Sequence, residues 1–61
     1  MTENRKYEII KKELNEIQWR HFLGSEAMEI GQGGIQEVKH ISGASVITIR
    51  RGIRELTAGE L

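Results

Sequence analysis

Between Gly33 and Leu56 the chain carries two short apolar stripes, one on either side of Ser42-Gly43-Ala44. Ile35, Val38 and Ile41 recur at helical spacing before the break, and Val46, Ile49, Ile53 and Leu56 do so after it. Residues three or four apart share one face of a helix. The spacing predicts helices over about 33–41 and 45–56, the second opened by Ser45, a residue type that caps helix N-termini. A glycine between two such helices supplies the positive φ that a sharp reversal needs. Two helices this short cannot bury their apolar faces alone, so the rest of the chain has to cover them.

The residues before Gly33 are suited to that task. Tyr7, Ile10 and Leu14, with Ile9 beside them, mark a first amphipathic stripe over about 4–13. Asn15 and Gln18 form an Asn-x-x-Gln capping pattern, which opens a new helix or bends a continuous one. Trp19, Leu23, Ala27 and Ile30, widened by Phe22, make a second stripe, and Gly31 is placed to end it. Gly24 inside this stretch should weaken the helix by about 1 kcal/mol relative to alanine. Thr57-Ala58-Gly59-Glu60-Leu61 reads as a fraying tail. With no proline, the chain is expected to be all-α: one small three- to four-helix domain over residues 1–61, with 4–30 as a helix or a helix pair.

Composition removes several functions. A chain of 61 residues without cysteine has no disulfide and no cysteine-based zinc site to support a core. His21 and His40 read as ordinary polar residues, so no metal is expected. Gly31-Gln32-Gly33-Gly34 lacks the Lys-Ser/Thr of a phosphate loop, and no nucleophile–base pair stands out. No enzyme activity, cofactor or small-molecule ligand is therefore expected. The N-terminus Met1-Thr2-Glu3-Asn4-Arg5-Lys6 carries no apolar signal region and nothing reaches the length of a membrane span, so a cytoplasmic location is expected.

The formal net charge is zero, but its distribution is uneven. Lys39, Arg50, Arg51 and Arg54 follow one another with no acidic residue between Lys39 and Arg54. Two short helices about a glycine turn, the second basic on the face opposite its apolar arc, outline a helix-turn-helix, which commonly lays its second helix in the DNA major groove. Double-stranded DNA is then the expected partner. Ser45, Ile47, Thr48 and Arg51 are the candidates to reach base edges, since arginine can chelate guanine. Arg50, Arg54 and Lys39 are candidates for phosphates, which add affinity without sequence information. Trp19 and Phe22 are expected in the core, Tyr7 at its edge; Met28 and His40 are given no role. A second reading makes Val46, Ile47 and part of the first helix a protein-binding or homodimer face. A third makes the chain a folded remnant without function.

Several blocks also resemble a known family. Leu14-Asn15-Glu16, Arg20, Phe22-Leu23, Ser25-Glu26-Ala27, Gly31-x-Gly33-Gly34-Ile35, Val38, Ser42-Gly43, Thr48-Ile49-Arg50-Arg51-Gly52-Ile53 and Glu55-Leu56 occur in that order. Together they resemble the N-terminal region of Rhodopirellula-type DDE transposases of bacterial insertion elements, over about residues 5–61. The resemblance implies a head that recognises the ends of a mobile element and precedes a catalytic domain with metal-binding carboxylates. That catalytic domain is absent from this sequence, so no transposase activity is expected of it alone. The chain would be a domain cut at its boundary or a short reading frame left by a decayed or split element. Its partners could then include itself or a full-length transposase. Lys39, where such units place a small residue, and Val46 and Ile47, where polar or basic residues are usual, depart from the pattern. The Lys39 side chain must turn outward, or the two helices must cross less closely.

Overall fold

The computed structural model describes residues 2–59, and side chains from Arg5 to Gly59. Met1 and the last two residues of the expected tail, Glu60 and Leu61, lie outside the described residues. Four helices follow in order: α1 (Thr2–Glu13), α2 (Glu16–Ile30), α3 (Gly34–Ser42) and α4 (Val46–Ala58). Among the described residues there is no strand. Among the described residues no helix is long and apolar enough to cross a membrane either.

Each junction has a local cause. Residues 4–30 are two helices because Asn15 completes a capping box. Its Oδ1 accepts the Gln18 N–H at 2.8 Å, and the Gln18 Oε1 accepts the Asn15 N–H at 3.0 Å. Gly31 ends α2 with its N–H on the Ala27 carbonyl. Gly43 ends α3 at φ 79°, a left-handed conformation that costs glycine little, and bonds back to the Lys39 carbonyl. Two residues later Ser45 opens α4, its hydroxyl accepting the Thr48 N–H at 3.1 Å. The expected tail begins too early. Thr57 and Ala58 belong to α4, because Gly59 supplies the cap and returns its N–H to the Glu55 and Leu56 carbonyls.

Helix α2 is the element on which α3 and α4 both rest, with α1 closing over α3. Leu23, Val38 and Ile49, one from each of α2, α3 and α4, are fully buried, and Tyr7 and Ala27 complete the centre. Trp19, Phe22, Ile35, Ile41, Ala44 and Ile53 surround them. Tyr7 meets the edges of Trp19 and Phe22, which stack on each other at 5.8 Å, so the aromatics lie in and around the core as their spacing suggests. The tyrosine is deeper than an edge position, at 4% exposure. Ile30, by contrast, leaves the stripe: it lies past the point where Gly34 rests on Ala27 and is half exposed, as is Ile9.

Gly24 has a use that outweighs its helix penalty. It faces Gly52 across the α2–α4 crossing, and a Cβ on Gly24 would come within 2.7 Å of the Gly52 carbonyl carbon and the Ile53 nitrogen. A Cβ on Gly52 would fall inside the Arg20 carbonyl oxygen. The hydrogen glycine carries there points at that oxygen, a weak Cα–H···O contact. The two backbones therefore touch directly. In an exposed helix, glycine to alanine would gain about 1 kcal/mol. Here Gly52→Ala is expected to lose at least the ~1–3 kcal/mol typical of overpacking. Thermal melts followed by circular dichroism check this; a Gly52→Ala protein melting at or above the wild-type temperature would refute the crossing.

Candidate nucleic-acid interface

Helix α4 sorts its charges by face. Ile49 and Gly52 are buried toward α2, whereas Ile47, Arg50, Arg51 and Arg54 line one shallow outer surface. Their positions, at i, i+3, i+4 and i+7, form a single stripe. Ile47 is 78% exposed. Among the described residues neither Arg50 nor Arg54 has an ion-pair partner.

The remaining expected site residues lie around this stripe. Ser45 and Thr48 occupy the first turn, where the Ser45 hydroxyl accepts the Thr48 N–H and donates to Thr48 Oγ1 at 3.0 Å. Both of the bonds the Ser45 hydroxyl makes are thus spent on the cap, while the Thr48 hydroxyl keeps its own proton to offer. Lys39 does turn outward: it is exposed on α3, but it lines neither the stripe nor the cleft beside it. That cleft runs from the α1–α2 junction to the turn before α4. Lys11, Trp19, Arg20, Thr48 and Arg51 are among its lining residues, with the Lys11 ammonium 5.7 Å from the Trp19 ring centroid.

The one carboxylate of α4 within the described residues is turned inward toward α2, beside the stripe. Glu55 is held between helices at 12% side-chain exposure. Arg20 grips it with two nitrogens, Nε on Oε1 at 2.8 Å and Nη2 on Oε2 at 2.9 Å. This forked geometry matches guanidinium to carboxylate. His21 Nε2 lies 2.7 Å from Oε1 and, facing an acceptor-only carboxylate, is the donor. Arg51 Nε reaches Oε2 at 3.2 Å from one turn earlier on α4. The Arg20 hydrogen bonds outweigh the upward push of burial and, with His21 and Arg51, lower the Glu55 pKa to about 2. The same bonds raise Arg20 above its usual value. His21 is therefore not the ordinary polar residue that its place in the sequence suggests.

Only part of this cluster has a sequence signal. Arg51 and Glu55 stand four apart, the spacing of an intrahelical pair. Nothing local links either to Arg20 or His21, thirty or more residues earlier. Among the described residues no group of three or more acidic or histidine side chains converges as a metal site would require.

A depressed carboxylate pKa gives the pH dependence a sign. Glu55 is ionised in the folded protein below the pH at which it protonates in the unfolded chain, near 4.3. Its contribution is complete above that pH and lost as pH falls toward 2. Glu55→Gln should lower the melting temperature at pH 7, and the gap from wild type should narrow steadily between about pH 5 and pH 2. A gap independent of pH would contradict the charge-assisted role. Comparison with protein-family models, with curated proteins and with solved structures finds no match to this chain.

Proposed function

We propose that this protein is a helix-turn-helix domain that binds double-stranded DNA through the outer face of α4. The observation that carries the reading is the stripe of Ile47, Arg50, Arg51 and Arg54, exposed together while Glu55 is turned inward. A local field decides what meets a face, so zero net charge does not oppose it. The left-handed Gly43 and the Ser45 cap allow α3 to brace α4 in the manner of such motifs. In this pose Arg51 and Ile47 approach base edges, as does the free proton of Thr48. Arg50, Arg54 and Lys39 meet phosphates, and Ser45 acts by fixing the first turn. On the transposase resemblance, the duplex would be the end of a mobile element. One unit this small offers little contact area, so useful affinity calls for dimerisation or tethering.

A second reading draws on one observation, the 78% exposure of Ile47 at the N-terminal end of the stripe. An aliphatic side chain there suits a protein or a second copy of the chain as well as a thymine methyl. Sedimentation separates the two: concentration-dependent association that Ile47→Ser abolishes, without DNA binding, would favour the protein partner.

Fluorescence anisotropy with a short duplex at several salt concentrations tests the DNA reading. With two or three phosphate contacts, the slope of log affinity against log salt should be about −2 to −3. Arg54→Ala should reduce its magnitude by about 1 and weaken all duplexes alike, whereas Arg51→Ala should weaken specific more than non-specific binding. No binding at low salt, or binding insensitive to salt and to both substitutions, would overturn it.

A further inference from the structure

We infer that Glu55 is a positioning residue that presents Arg51 end-on to a single guanine, an inference that rests on the DNA reading above. The geometry divides the Arg51 guanidinium in two. Its Nε is occupied by Glu55 Oε2, while its two terminal nitrogens have no hydrogen-bond partner among the described residues. A guanidinium can chelate guanine O6 and N7 either through Nε and one terminal nitrogen or through the two terminal nitrogens. With Nε committed, only the end-on fork remains.

The anchor is itself anchored. Glu55 is held from α2 by Arg20 and His21, so its carboxylate cannot follow Arg51 outward into solvent. An exposed arginine normally gives up much rotamer freedom to make a specific contact, and a fork oriented beforehand gives up less. Arg50 and Arg54, which lack such an anchor, remain free to swing toward phosphates. One stripe thus holds two kinds of arginine, one aimed and two mobile. A glutamine at position 55 would offer a single acceptor oxygen to the donors on both sides and would release one of them.

The test begins with selection of bound duplexes from a randomised pool. Wild-type protein should enrich a site with a required guanine, and changing that G·C pair to A·T should cost ~5- to 150-fold in affinity. Arg51→Lys, a point charge without the fork, should bring this ratio close to one. Glu55→Gln should do nearly the same, and the double variant should lose no more than either alone, because the two residues act as one unit. Additive losses, or a Glu55→Gln protein that keeps the full ratio, would overturn the inference. Should Glu55→Gln fail to fold, NMR of the wild type decides: on adding the selected duplex, the Arg51 Nε–H resonance should stay in place while the terminal-nitrogen resonances move. A moving Nε–H would mean that Arg51 leaves Glu55 on binding and would likewise overturn it. Duplexes selected without a required guanine would defeat this inference alone, whereas a pool from which nothing binds would defeat the DNA reading as well.

Discussion

Everything in this protein hangs on two missing methyl groups. Gly24 and Gly52 let α2 and α4 approach until backbone meets backbone, leaving no room for a Cβ at either position. Gly34 repeats the device on a smaller scale where α3 rests on the Ala27 carbonyl. A chain of 61 residues has little apolar surface to bury, and its fully enclosed aliphatic side chains are Leu23, Val38 and Ile49. Bringing helices this close raises the packing contacts each of those side chains makes. The helical propensity given up at two glycines is offset by the contacts that the crossing allows.

The crossing also organises the charges. Because α4 lies on α2 at Gly52, the next inward turn of α4 delivers Glu55 to Arg20 and His21. The carboxylate is held between the helices, where it also pairs with Arg51, and Arg50 and Arg54 are left on the outside with no acidic partner among the described residues. The contact that fastens α4 to α2 is thus the one that draws the α4 carboxylate inward from its outer surface. It also ties Arg51 to the fold through its Nε while leaving Arg50 and Arg54 loose.

What was legible in the sequence was what is local. Asn15 with Gln18, the cap at Ser45, and the glycine turn at Gly43 could be read because a cap or a turn involves residues a few positions apart. The apolar arcs of α3 and α4 follow from spacing for the same reason. Gly52 could not be placed, since its purpose is set by Gly24 and Arg20 far away along the chain. Nor could His21 and Glu55, whose meeting depends on the angle at which two helices cross. The apolar period ends at Leu56, which hid the last turn of α4, although Gly59 carried the stop signal. On the outer face, a basic side opposite the apolar arc was visible from spacing; the anchoring of Arg51 was not.

On the function proposed above, the outer face of α4 meets DNA while the crossing behind it stays closed. Amide-by-amide NMR during titration with a short duplex, at low and at moderate salt, tests it most directly. The account predicts shifts concentrated between Ser42 and Arg54 that fade as salt rises, with Gly24 and its neighbours on α2 undisturbed. Absence of shifts at low salt, or shifts centred on α1 and the C-terminal end of α2, would contradict it.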